Sequence, residues 1–220
     1  MRLSEAGFAQ STLPTRLCDY PDWHLGRERY GVWIIEIESP ALLAYIDKAR
    51  QQIADLLHPQ YRRQPHVTLF VCGFEQPQHH QPDDFTPQAL QAQIASLKPL
   101  APSAFELYAS HLDSFASAVF IAVEDPQASL APLRQALGQG HEEIRYAPYV
   151  PHLTLGLYRQ RIDAQALRQR LGALPAPPST PFRVSRLLYC TYCAQELFGP
   201  LSERYRMELP NTSNSGIHAL

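Results

Sequence analysis

Two imidazole–hydroxyl couples, His66 with Thr68 and His152 with Thr154, are the residues of this 220-residue chain best suited to chemistry. Imidazole has an unperturbed pKa of ~6.5, so it gives and takes protons near neutrality. A hydroxyl donates a hydrogen bond to an oxygen on which negative charge builds. Two of each suit acid–base work at a phosphate. One imidazole takes a proton from attacking water, the other returns one to the departing oxygen, and the hydroxyls hold the nonbridging oxygens. Such a set requires no metal and no cofactor.

Each couple sits in the same phrase, Pro65-His66-Val67-Thr68-Leu69 and Pro151-His152-Leu153-Thr154-Leu155. One His-x-Thr arises easily by chance; two sharing proline before, an aliphatic between and leucine after do not. Strand side chains alternate between faces, so His and Thr at i and i+2 project together while the aliphatic residues bury. Continued alternation carries the first face to Phe70 and the second to Gly156 and Tyr158. Tyr158 and Phe70 are therefore candidate substrate contacts, by stacking or hydrogen bonding, or else packing residues. Arg62 and Arg63 precede the first strand and Arg159 and Arg161 follow the second, as phosphate anchors or a solvated rim. Tyr61 and Tyr149 share that ambiguity.

The paired motif His66-Val67-Thr68 and His152-Leu153-Thr154 resembles the signature of the two-histidine (2H) phosphoesterase superfamily, which includes bacterial RNA 2′,3′-cyclic phosphodiesterases, also called 2′–5′ RNA ligases. The resemblance runs from about Tyr30 to Leu209, strong at the motifs and weak between them. It implies an α+β bilobal fold: two pseudo-symmetric antiparallel-sheet lobes, helices on their outer faces, and a central cleft. It also implies metal-independent chemistry, a nucleotide or RNA end with a cyclic phosphate as partner, His152 as base and His66 as acid. The residues themselves do not distinguish the two roles. A nucleotide-binding module that uses the same cleft without turnover is the alternative, and a zinc hydrolase a weaker third.

The elements that would position these residues follow from periodicity. Val32 to Ile37 reads as a strand, Ala41 to Leu57 as an amphipathic helix, and His66 to Phe74 as the first motif strand. A polar loop from Glu75 to Pro87 precedes a helix over Gln88 to Leu97. Strands over Phe105–Ser110 and Ala118–Val123 form a hairpin about Asp113-Ser114, and Pro126 to Leu137 is a helix. The second motif strand is Val150 to Tyr158. A helix from Asp163 to Leu171 and strands over Phe182–Tyr192 and Arg204–Leu209 complete the set. Strand, helix, motif strand, helix, strand and then nearly the same again reads as an internal duplication, with pseudo-two-fold symmetry bringing the motifs together. Residues 1–30 read as an N-terminal extension packed on the body, 31–209 as one bilobal domain and 210–220 as a disordered tail.

With 45% hydrophobic and 18% charged residues the chain reads as globular. A formal charge of −2 argues against a DNA duplex or a long RNA track as partner. No apolar run is long enough for a membrane, and Met1-Arg2-Leu3-Ser4-Glu5 does not open a secretory signal. Four cysteines in a chain of this size make no disulfide framework, so a cytoplasmic monomer with free thiols is expected. Cys190 and Cys193 read as buried structural thiols; Cys18 and Cys72 are isolated. His79, His80, Asp83 and Asp84 read as a solvated loop in preference to a metal site, and His24 and Arg27 as part of an ordered arm in preference to a site. His141-Glu142-Glu143 lacks the rest of a zinc-protease motif, and His111 and Asp113 have no evident partner.

Overall fold

The computed structural model describes residues 1–211 apart from 17, 101, 146 and 197. In chain order the elements are α1 (Pro21–His24), β1 (Arg29–Glu36), α2 (Pro40–Gln52), β2 (His66–Glu75), β3 (Asp84–Phe85) and α3 (Pro87–Leu97). There follow β4 (Phe105–Ser114), β5 (Ala118–Glu124), α4 (Leu130–Leu137), β6 (His152–Leu157), α5 (Ala164–Gly172), β7 (Phe182–Val184), β8 (Arg186–Cys193) and β9 (Ser202–Glu208).

Local chemistry sets the helix starts. Ser39 accepts from the Leu42 amide at 3.4 Å with Pro40 next in chain, and Thr86 accepts from Ala89 at 3.2 Å with Pro87 next. Asp163 caps α5 through Gln165 and Ala166. Asp125 accepts from Ser129 and Leu130, so α4 begins at Leu130 rather than at Pro126. Leu42, Ile46 and Ala49 give α2 one buried face. This helix ends at Gln52, short of Leu57. The chain leaves it so that His58 donates to Leu157 and Arg159 donates to Leu56, laying residues 56–58 beside the end of β6.

Among the described residues the strands form one curled, nine-stranded sheet in the order β7-β4-β5-β6-β2-β1-β8-β9, with β3 parallel to β2. Two halves, β9-β8-β1-β2 and β6-β5-β4-β7, mirror each other about the joint between the motif strands. The expected duplication is thus present in space but not as a simple tandem. β4, expected to close the first half, belongs to the second, and the C-terminal β8 takes the matching place beside β1. The run from Phe182 to Tyr192 breaks at Ser185: β7 pairs with β4 and β8 with β1, so its pieces serve opposite halves.

One apolar cluster, including Trp33, Ile46, Leu69, Leu107, Leu133, Leu155 and Leu167, runs between the sheet and the helices of both halves. A smaller cluster of Tyr30, Val32, Ile34, Phe74, Leu188 and Cys190 fills the opposite face of the first half, with Trp23 packed on it. β1 is therefore buried on both faces, which explains its unbroken apolar sequence. The buried amide of Gln93 accepts from Trp33 at 2.8 Å and donates to the Leu137 carbonyl at 2.9 Å.

Residues 1–30 contact both halves. Ser4 donates through its amide and hydroxyl to buried Asp113, giving Asp113 the partner that its sequence did not reveal. Thr12 and Thr15 donate through their amides to the carbonyls of Ile162 and Tyr158. Farther on, His24 contacts Asp19 at 2.8 Å, and Arg27 bridges Asp83 and Asp84 while lying 3.7 Å over the Phe74 ring. His24, Arg27, Asp83 and Asp84 thus serve packing. Cys190 is buried, but Cys193 is exposed, against the expectation for it. Of the expected tail, Pro210 accepts from Ala104 and Asn211 accepts from Arg183, so these two residues are tied down; 212–220 lie outside the described residues. Among the described residues no helix is long and apolar enough to cross a membrane.

Removing Arg27 leaves the Asp84 carboxylate, which is only 2% exposed, with the His80 and Gln81 amides but no counter-charge. Arg27→Met is expected to lower unfolding stability by roughly 3 kcal/mol, because Asp84 loses its cation without regaining water. Urea unfolding measures this, and a loss below about 1 kcal/mol would show that the ion pair does not anchor the arm.

Candidate active site

The two halves of the sheet are joined strand to strand at one residue pair. Val67 of β2 faces Leu153 of β6 in antiparallel register. One step either way along that register sets His66 opposite Thr154 and Thr68 opposite His152. The couples are therefore crossed about a local two-fold axis, on the face opposite the buried Val67 and Leu153 side chains. The sequence placed His66, Thr68, His152 and Thr154 on strand faces that could meet, and the register sets all four on one face at the joint.

Both imidazoles are oriented by the same device. His66 Nδ1 lies 2.7 Å from the Gln64 carbonyl oxygen and His152 Nδ1 lies 2.6 Å from that of Val150. A carbonyl only accepts, so each Nδ1 carries the hydrogen and each Nε2 keeps its lone pair for the cleft. His152 also stands edge-on to Phe115 and Phe120, at centroid distances of 5.0 and 5.2 Å, and those two rings stack at 4.3 Å. No side-chain partner holds the hydroxyl of Thr68 or Thr154 among the described residues.

Each motif strand carries a bulge directly after its threonine. Trp33 pairs with Phe70 and Ile34 with Thr68, which leaves Leu69 as an extra residue. Val119 pairs with Gly156 and Phe120 with Thr154, which leaves Leu155 extra. A bulge reverses the alternation beyond it. Phe70 consequently turns into the core, 2% exposed, rather than toward the cleft. Tyr158 is fully buried and shares a hydrogen bond of 2.7 Å with Ser114 Oγ, so it is a packing residue as well. Gly156 leaves room for Leu57, whose side chain would lie 2.9 Å from an added Cβ.

Arginines not singled out from the sequence satisfy the bulges. A bulge residue's carbonyl is left without its ladder partner. Arg134 of α4 donates to the Leu69 carbonyl, and Arg50 of α2 donates through Nε to the Leu155 carbonyl at 2.8 Å. Each arginine comes from the segment before one motif and serves the other. Tyr149 lies under Arg134, 3.7 Å from ring centroid to guanidinium carbon, and donates to the Thr68 carbonyl at 3.0 Å. Tyr61 stands beside Arg50 at 5.7 Å. Nothing in the residues around position 50 or 134 marks them; only their spacing, close to that of the two motifs, could have done so.

Of the flanking arginines, Arg62 is exposed and paired with Glu196. Arg63 lies 3.8 Å over the Tyr192 ring, and its charge reaches His66. The field at both imidazoles is positive. Burial, then Arg63, the partner imidazole and Arg50 press His66 down to about 4, against the opposing hydrogen bond to Gln64. Burial first, then Arg145, lowers His152, against its bond to Val150. An uncharged pair of imidazoles ringed by guanidinium groups is a site prepared for an anion.

The depressed His66 has a consequence for stability. The unfolded chain takes up a proton near ~6.5 and the folded one near about 4, so the unfolded state holds more protons between those values. Stability is therefore expected to fall as pH drops from 6.5 toward 4, by up to roughly 3 kcal/mol from this group. His66→Gln should flatten that part of the slope in urea unfolding between neutral and mildly acidic pH, and an unchanged slope would contradict the assignment.

The 2′-5′ RNA ligase superfamily model matches residues 38–192. Escherichia coli LigT solved with phosphate superposes with a TM-score of 0.52 at 14% identity, over 84% of this chain and 100% of that one. LigT with 3′-AMP gives 0.52 at 14%, over 84% and 99%. The TT0787 protein of Thermus thermophilus gives 0.52 at 14%, over 83% and 99%. At such identities the structural likeness is one of fold. A comparison with curated proteins found no match. The family model spans well over half of the chain and takes in both crossed couples. The chain belongs to the 2′-5′ RNA ligase superfamily of two-histidine phosphoesterases.

Proposed function

We propose that this protein is a metal-independent phosphodiesterase that opens 2′,3′-cyclic phosphates at nucleotide or RNA ends, with 2′–5′ linkages made or cut in the same cleft. The crossed register about Val67 and Leu153 carries this reading. It sets one imidazole and one hydroxyl on each side of a single phosphate-sized position. LigT, whose structures hold phosphate and 3′-AMP, takes ligands of the kind that position suits.

Hydrolysis then proceeds in line. The Nε2 lone pair of one histidine takes a proton from water as its oxygen attacks phosphorus. The bond from phosphorus to the ribose oxygen breaks on the far side, and the protonated Nε2 of the other histidine delivers its proton there. Thr68 and Thr154 donate to the nonbridging oxygens as charge grows on them. The products are a phosphomonoester and a ribose hydroxyl, with one histidine having gained a proton and the other having lost one. The charge of the bound phosphate raises both imidazoles, which provides the protonated partner near neutrality.

Both imidazoles are held below their ordinary value, and the family resemblance gives His152 the base role and His66 the acid role. The roles exchange in the ligating direction.

Hydrolysis of a 2′,3′-cyclic nucleotide in EDTA tests the reading. His66→Ala and His152→Ala should each lower kcat by about 100- to 10,000-fold, and Thr68→Val or Thr154→Val by about 100-fold. Saturable binding without product in the wild type would make the protein a binding module. Product from a His66→Ala, His152→Ala double variant at the wild-type rate would overturn the mechanism.

A further inference from the structure

The two-fold symmetry of the site is broken at one charged position. Ile144 donates to the carbonyl of Val71, five residues after His66; His58 donates to the carbonyl of Leu157, five residues after His152. Ile144 and His58 are thus equivalent, and so are the residues before them, Glu143 and Leu57. In one half, Glu143 completes the bulge clamp: its carboxylate lies 2.5 Å from Arg134 Nη2, 3.0 Å from Arg145 Nε and 3.1 Å from the Val71 amide. In the other half a leucine stands in that place.

Arg50 has no such carboxylate in contact. Its Nε holds the Leu155 carbonyl, as Arg134 holds that of Leu69, but its Nη2 is buried without a hydrogen-bond partner and no ion pair includes it among the described residues. Burial pulls Arg50 below its ordinary value, against the more distant charge of Asp47. A half-buried guanidinium group with an N–H left unbonded is suited to an anion. Arg50 also lines a cavity of about 180 Å³ with Leu57, His58, Tyr61, Leu155 and Gly156. At about 30 Å³ per water molecule, that space has room for a phosphate group. The charge of Arg50 acts on His66, and Leu155 and Gly156, which line the cavity, directly follow Thr154 in the chain.

We propose that this cavity is a second oxyanion subsite, in which Arg50 receives the backbone phosphodiester next to the reacting phosphate of an RNA strand. The inference rests on the proposed function for the identity of the neighbouring group. It assigns the protein a substrate with a second phosphate beside the reacting one, which an RNA strand end supplies and a simple 2′,3′-cyclic or 3′-mononucleotide does not.

Equilibrium binding tests it without relying on turnover. By calorimetry, the wild type should bind a dinucleotide 3′-phosphate about 10-fold more tightly than the matching 3′-mononucleotide, a difference of about 1.4 kcal/mol. Leu57→Glu, which restores the missing carboxylate, should erase the difference, and Arg50→Gln, which removes the cation but keeps an N–H donor, should do the same. The second variant decides the matter if the first fails to fold. A dinucleotide with an uncharged methylphosphonate linkage should bind the wild type no better than the mononucleotide. Equal wild-type affinity for the two natural ligands would overturn the proposal. So would a preference that survives Arg50→Gln or the loss of the linkage's charge. Absence of hydrolysis with an intact binding difference would count against the proposed function alone.

Discussion

Everything at this site depends on a joint one residue pair wide. Val67 and Leu153 make the ladder between the motif strands, and both are essentially inaccessible to solvent. Backbone pairing at that point fixes the register, and register in a β ladder fixes which side chains face each other. A slip of one residue would send the imidazoles into the leucine-rich core and the aliphatic residues into the cleft. The burial of Val67, Leu69, Leu153 and Leu155 on the helix side opposes such a slip, so core packing and site geometry are one constraint.

The bulges after Thr68 and Thr154 turn this narrow joint into a cleft. They end the regular alternation, return Phe70 and Tyr158 to the interior, and leave carbonyls for Arg134 and Arg50 to hold. Each arginine crosses from one half to the other, so the halves are linked on both sides of the two-fold by groups that also bring positive charge. Burial first, then the guanidinium groups nearby, make protonation of the imidazoles unfavourable. Under the proposed function, a bound phosphate offsets that positive charge and favours the protonated imidazole that serves as acid. Structure and reactivity thereby share components: the clamp that shapes the cleft also contributes to its field.

Much of this was legible in the residues. The repeated phrase around His66 and His152 marked the strands, their inward and outward faces and the pseudo-symmetry, because strand alternation is a local rule. The start of α5 at Asp163 and the α+β architecture followed from equally local chemistry. What was hidden depends on tertiary context. No residue type announces a bulge at Leu69 or Leu155, so the alternation was carried too far, to Phe70 and Tyr158. The break at Ser185 is set by which half each piece reaches, and α2 ends early because residues 56–58 pair with the end of β6. Arg50 and Glu143 gain their importance only from neighbours remote in sequence.

A structure with a nucleoside vanadate, which mimics phosphorus during in-line attack, decides whether both couples grip one centre. Vanadium should sit between the halves, with Nε2 of His66 and of His152 on opposite sides and both threonine hydroxyls within hydrogen-bond reach, about 3 Å, of its equatorial oxygens. Vanadate held by only one of the couples, or bound away from the Val67–Leu153 joint, would contradict it.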